Sequence, residues 1–223
     1  MGLQFPQQPG GSSGAAAPAL PVQSLLSQVL GITAVGLCIT ALAVYLFQNT
    51  LSFGAGLIFM LIGLGLLIAI NFTQKNPTLS LILFYAFAFC QGLGLAPTIG
   101  NYVQNFGPEI IYNAALTTGL GMFALAAIVY ATGLDLRRFQ GILNIALIGL
   151  VLLGIVSIFT RWVHPDVYSW LTLVIFTGYV LIDFARIRAG GDGLSPVMMA
   201  ISIYLDAINI FLALLQIFGG RRR

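Results

Sequence analysis

The run VMMAISIYLDAINIFLALLQIF, residues 197–218, decides the fold, because it is long enough to cross a bilayer and holds a single charged side chain, Asp206. A helix needs about 20 predominantly apolar residues to span the hydrocarbon. Working outward from this run, six more stretches read the same way: 22–47, 53–72, 79–99, 113–132, 141–160 and 169–187. Turn formers or charges fill the gaps, among them Lys75-Asn76-Pro77, Gly107-Pro108-Glu109, Asp135 with Arg137-Arg138, and Gly190-Gly191-Asp192-Gly193. Ser195-Pro196 supplies a cap and first turn for the last span. The expectation is an all-α polytopic membrane protein of seven transmembrane helices.

Composition agrees with that expectation. The chain is 59% hydrophobic and 7% charged, against roughly 25% charged in a soluble domain, so lipid is the solvent for most of it. The net charge of +3 comes from Lys and Arg in short connections, a membrane-surface pattern that speaks against nucleic-acid binding. Residues 1–21 are rich in Gly, Pro, Ser, Ala and Gln and carry no charged side chain, which predicts a disordered tail ahead of a transmembrane domain at 22–219. Residues 220–223 form a basic tail with Arg221, Arg222 and Arg223. With the N-terminus in the cytoplasm, Lys75, Arg137, Arg138, Arg186 and Arg188 lie inside, against Arg161 and the three terminal arginines outside. The basic-residue rule therefore favours a cytoplasmic N-terminus and an external C-terminus.

Several residues that attract functional readings have plainer ones. Cys38 and Cys90 have no metal-ligand spacing and read as small buried hydrophobes. His164 lies in a loop with no orienting partner in sequence and reads as an interfacial residue. The pairs Gly54/Gly56, Gly63/Gly65, Gly92/Gly94 and Gly119/Gly121 lie inside apolar spans, where a nucleotide loop has no place; they read as close helix contacts.

Asp183 and Asp206 are the exceptions. A carboxylate in the hydrocarbon costs about 2.5 to 3.5 kcal/mol on insertion scales and needs a partner, a wet cavity or a proton. With about 100° between successive residues, Asp183 shares a helix face with Thr172, Phe176, Tyr179 and Arg186. Asp206 shares one with Ser202, Asn209, Ala213 and Gln216. The two helices are consecutive and antiparallel, so these stripes can face each other, although Asp206 counts as the deeper of the two. Two carboxylates in close contact repel, and a proton shared between them relieves the repulsion, which makes such a pair a pH sensor. When both are ionised they present hard oxygen ligands suited to Ca²⁺, with Asn209 able to add another. The plainer alternative is that Asp183 pairs with Arg186 or Lys75 while Asp206 hydrogen-bonds within the bundle.

The residues Phe176-Thr177-Gly178-Tyr179-Val180-Leu181-Ile182-Asp183 and Ile203-Tyr204-Leu205-Asp206-Ala207-Ile208-Asn209-Ile210-Phe211-Leu212-Ala213-Leu214-Leu215 carry a resemblance to the transmembrane Bax inhibitor motif family. Phe84-Tyr85-Ala86-Phe87-Ala88-Phe89 and Gly92-Leu93-Gly94-Leu95-Ala96-Pro97 extend it through the third span. The resemblance implies a seven-helix fold with a central last helix. It further implies a proton-sensitive calcium leak controlled by two aspartates that match Asp183 and Asp206. In calcium-leak members a basic residue at the inner end of span two latches the first aspartate. Here that region holds only Lys75, which leaves Lys75 or Arg186 as the candidate latch.

The leading expectation is thus a passive ion pathway with no enzymatic activity and no cofactor beyond Ca²⁺. Its partners are lipid, Ca²⁺ and H⁺, in a bacterial inner membrane. The alternative is an interaction protein, such as a modulator of a membrane-embedded protease. An intramembrane aspartyl protease is a distant third, because the nearest approach to its Gly-x-Gly-Asp string is Ala189-Gly190-Gly191-Asp192 in a loop.

Overall fold

A computed structural model of the chain describes residues 22–160 and 164–220. The expected tail at 1–21, Arg161 and the terminal arginines lie outside the described residues. Seven helices follow in order: α1 Val22–Phe47, α2 Phe53–Phe72, α3 Pro77–Phe106, α4 Glu109–Thr132, α5 Gln140–Thr160, α6 Pro165–Arg188 and α7 Pro196–Gly220. All seven are long and apolar enough to cross a membrane, so the expected fold class holds. A 3-10 turn at Arg137–Phe139 leads into α5.

Local chemistry sets the helix ends. Ser52 Oγ accepts the amide of Ala55 at 3.3 Å and opens α2; Asn76 Oδ1 accepts that of Leu79 at 3.1 Å and opens α3, with Pro77 in the first turn. Ser195 Oγ accepts the amide of Met198 at 3.3 Å ahead of Pro196, the cap expected for α7. α3 holds Pro97 within it and overruns its expected end at Ile99, continuing to Phe106. Its last turns, Asn101 to Phe106, lose the unbroken apolar character that marks a span but keep good helix geometry up to Gly107, at φ 81°. The α6–α7 connection closes differently. The Gly190 amide reaches the Ile187 carbonyl at 3.1 Å and the Gly191 amide reaches that of Arg186 at 2.9 Å, the paired bonds of a Schellman ending. Gly190, Gly191, Asp192 and Gly193 all have positive φ, and the left-handed run folds Asp192 back toward the end of α6.

α7 touches α1, α3, α4 and α6 and is the most buried helix, the central position the resemblance implies. α5 is its opposite: among the described elements it packs only on α6 and the preceding 3-10 turn. The glycine pairs divide. Gly56, Gly63, Gly92 and Gly94 sit against neighbouring helices, whereas Gly54, Gly65, Gly119 and Gly121 face open space. Cys38 is exposed and Cys90 half-buried, which corrects the expectation that both are buried. The reason is the solvent: where the outside is lipid, an apolar side chain gains nothing by turning inward.

α1 comes close to α3 at Gly92, where an added Cβ would stand 2.6 Å from the Thr40 carbonyl oxygen and 2.7 Å from the Ala43 Cβ. The Thr40 hydroxyl then ties three helices together, lying 2.9 Å from the Ala88 carbonyl on α3 and 2.6 Å from the Tyr204 hydroxyl on α7. Tyr204 is wholly buried, with Phe84 and Phe87 packed edge-on against its ring. Gly92→Ala is expected to lower stability by about 1–3 kcal/mol through overpacking, seen as a lower unfolding temperature in detergent. Gly65→Ala, with open space around it, is the matched control and should leave that temperature unchanged or raise it.

Candidate ion and proton site

Asp183 on α6 and Asp206 on α7 are 4% and 3% exposed, so the protein interior rather than lipid surrounds both. They are close enough for the charge of one to act on the other, which brings together the pair expected from the two polar stripes. The carboxyls differ in company. Asp183 Oδ1 accepts a hydrogen bond from Arg186 Nη1 at 2.7 Å, one helical turn along α6. Its Oδ2, and Oδ2 of Asp206, are buried and accept no hydrogen bond from any described residue. A buried carboxyl oxygen without a donor is costly, and here two of them stand on facing helices.

Arg186 organises the rest. It is 8% exposed, and each face of its guanidinium edge has a partner. Nη1 holds Asp183, Nη2 donates to Gln140 Oε1 on α5 at 2.8 Å, and Nε stands 3.7 Å from Asp192 Oδ2. Asp192 is also bridged by Arg137 Nη1 at 2.7 Å, and Arg137 turns its Nε and Nη2 to Asp135 at 2.7 to 3.1 Å. Those bonds from Arg137 hold the Asp135 carboxyl down at about 2, so it is ionised at any physiological pH. Charges of alternating sign thus run from the buried pair to the surface, where Asp135, Arg137, Arg138 and Asp192 line a cleft of about 370 Å³. Arg188 serves the frame, donating to the carbonyls of Val129 at 2.8 Å and Gly133 at 2.7 Å and so closing the C-terminus of α4.

The other expected residues fall on both sides of the line. Ser202 lies alongside the Asp183 carboxyl, and Tyr179 is near enough to feel both aspartates while its hydroxyl donates to Asn144 Oδ1 on α5 at 2.7 Å. Asn209 does not join the pair through its amide nitrogen, which donates to the Leu205 carbonyl of its own helix at 2.8 Å. Thr172 likewise bonds back to Tyr168 at 2.8 Å, and Gln216 accepts from Ser169 at 2.7 Å elsewhere along the α6–α7 contact. Lys75 is exposed at the α2–α3 turn, and the cation on Asp183 is Arg186, not Lys75. Asp192 belongs to the surface end of the chain of ion pairs rather than to a dyad with either buried aspartate. His164 stands exposed ahead of α6, 3.6 Å from Asp166. Gln140, Asn144 and Asp192 carry no intramembrane charge and sit outside the aspartate helices, so sequence alone gave no reason to join them to the site.

Fold and site together define a seven-helix integral membrane protein with a buried carboxylate pair, one member of which is held by an arginine of its own helix. The chain belongs to the Bax inhibitor family, matching the family described as "Inhibitor of apoptosis-promoting Bax1" over residues 22–223. It is similar to "Inner membrane protein YbhL" of Escherichia coli (strain K12), at 27% identity over 92% of this chain and 95% of that protein. It is similar also to "Uncharacterized protein Cj0236c" of Campylobacter jejuni, at 30% identity over 80% of this chain and 77% of the relative. A third relative, "Uncharacterized membrane protein SpyM3_0260" of Streptococcus pyogenes, is 29% identical over 77% of this chain and 76% of its own length.

Proposed function

We propose that this protein is a proton-sensitive calcium leak in a bacterial inner membrane, gated at Asp183 and Asp206. The observation that carries the reading is the arrangement of the pair: two carboxyls buried on facing helices, each with an oxygen that accepts no hydrogen bond from a described residue. Such oxygens are hard ligands for Ca²⁺. Two carboxylates and a nearby hydroxyl fall short of the six to eight oxygens of a tight calcium site, which suits an ion in transit, since conduction requires weak binding. With Arg186 on Asp183 the seat is occupied by a positive charge, and the arrangement is a closed one. The first proton goes to Asp206, which has no ion-pair partner among the described residues; a second, on Asp183, discharges the Asp183–Arg186 bond, and an entering Ca²⁺ then displaces the proton of Asp206. Protons then open the path, and Arg186 fills the latch role. The relative named an inner membrane protein supports the location, and the basic residues at one end of the bundle support a cytoplasmic N-terminus with an external C-terminus.

The test is calcium uptake into liposomes that hold only the purified protein and a trapped calcium dye. Uptake above that of empty liposomes is the expected result. None, from protein shown to be folded and inserted, overturns the reading and leaves the interaction-protein alternative.

A further inference from the structure

We infer that the cleft between the α4–α5 and α6–α7 connections binds the headgroup of a phospholipid carrying a primary ammonium, a phosphoethanolamine, with its phosphodiester on Arg138 and its ammonium on Asp192. The ion pathway plays no part in it. Residues 133–139 join the end of α4 at Thr132 to the start of α5 at Gln140. Both helices are long and apolar enough to span the bilayer, so this connection stands where hydrocarbon meets headgroups. Its side chains suit that level. Leu134 and Phe139 are exposed apolar residues near its two ends, with Asp135, Arg137 and Arg138 between them, the mixture of a membrane-surface anchor. Asp192 reaches the same place from the loop after α6, and with those three charged residues it lines an open cleft of about 370 Å³, room enough for a small polar group.

Two groups of opposite charge in that cleft are left unmet. Arg137 spends all three nitrogens of its guanidinium on the carboxylates, Nε and Nη2 on Asp135 and Nη1 on Asp192. Arg138 makes no hydrogen bond or ion pair with any described residue and lies over the Phe139 ring at 4.8 Å, so its fork is free for the paired oxygens of a phosphodiester. Asp192 Oδ1 takes the Arg137 bond, whereas the nearest cationic nitrogen to Oδ2 is Arg186 Nε at 3.7 Å, too far to donate. The four lining charges cancel. Behind them Arg186 is matched by Asp183, and Arg188 is turned to carbonyls at the negative end of α4. A ligand that keeps this balance brings one charge of each sign, and a phosphoethanolamine does so in one headgroup. A glycerol headgroup leaves a net negative charge beside Asp135 and Asp192, and a choline headgroup has no N–H to give Asp192.

Native mass spectrometry of the full chain in detergent, titrated with dioleoyl lipids that differ only in headgroup, reads the affinity for the first lipid bound. Wild type should hold phosphatidylethanolamine about tenfold more tightly than phosphatidylcholine, the scale of one charge-assisted hydrogen bond. Arg138→Gln should weaken both lipids about tenfold, because both use the phosphodiester. Asp192→Asn should weaken phosphatidylethanolamine alone, down to the level of phosphatidylcholine. Lys75→Gln, at an exposed cation of the α2–α3 turn, should change neither. The ratio between two lipids separates loss of headgroup recognition from a variant that merely folds less well. Equal affinity for the two lipids in wild type, a phosphatidylglycerol that binds more tightly than either, or an Arg138→Gln chain with wild-type affinity overturns the inference. Soluble glycerophosphoethanolamine should displace the bound lipid only in large excess; displacement at the lipid's own concentration would overturn the lipid as the source of the headgroup.

Discussion

Arg186→Met should leave the protein markedly unstable at neutral pH and let it recover stability as the solution is acidified. Breaking a buried ion pair from one side leaves the other charge uncompensated, at a cost of about 3–5 kcal/mol, and Asp183 is 4% exposed with Arg186 as its ion-pair partner. The sign follows from proton linkage. Without Arg186, the folded state favours protonated Asp183 more than the unfolded chain does, so the native state binds the extra proton and stability falls as pH rises. Asp183→Asn in the same chain removes the orphaned charge and should restore most of the loss. Thermal unfolding in detergent at several pH values checks both statements. An equal loss at every pH, with no rescue by Asp183→Asn, would show that Arg186 matters through packing on Gln140 rather than through charge.

Asp206→Asn should cut calcium flux by at least about tenfold while leaving the protein folded. Among the described residues Asp206 has no ion-pair partner, unlike Asp183, so its oxygens are the ones an incoming ion can take when the Arg186 bond is discharged. Two unit charges about 4 Å apart exchange about 4 kcal/mol at an effective dielectric of roughly 20, and a tenfold change needs only about 1.4 kcal/mol. Asparagine is nearly isosteric and removes a buried carboxylate charge, so unfolding temperature should hold or rise. Initial uptake rates in liposomes at matched protein density give the ratio; flux equal to wild type would take Asp206 out of the pathway.

The spans and the aspartates were legible because lipid makes both conspicuous. Seven apolar runs of bilayer length have one reading, and a lone Asp in a run such as 197–218 cannot be incidental when its insertion is so costly. Helix ends were legible where a cap marks them, as at Ser195-Pro196. They were not at the end of α3, where the helix outlasts its apolar stretch by seven residues from Ile99 to Phe106. The facing of apolar residues was illegible for a deeper reason. Cys38, Gly119 and Gly121 point outward because lipid and protein interior are equally apolar, so hydrophobicity carries no sign of direction. Within the site, Asp183 and Asp206 could be paired from helix periodicity, but the partners of Arg186 could not. Gln140 and Asp192 reach it from α5 and from a left-handed loop, and their placement depends on tertiary packing and on four consecutive positive-φ residues rather than on any local pattern.

The most direct test of the central claim is the pH profile of calcium flux, between about pH 6 and pH 8, for wild type beside Asp183→Asn in liposomes of the same composition. If the Asp183–Arg186 bond is the proton-released latch, wild-type flux rises severalfold on acidification. Asp183→Asn, which carries no charge to hold Arg186, should conduct at the acid level throughout. The same steep profile in both proteins, or no flux in either, would contradict the account.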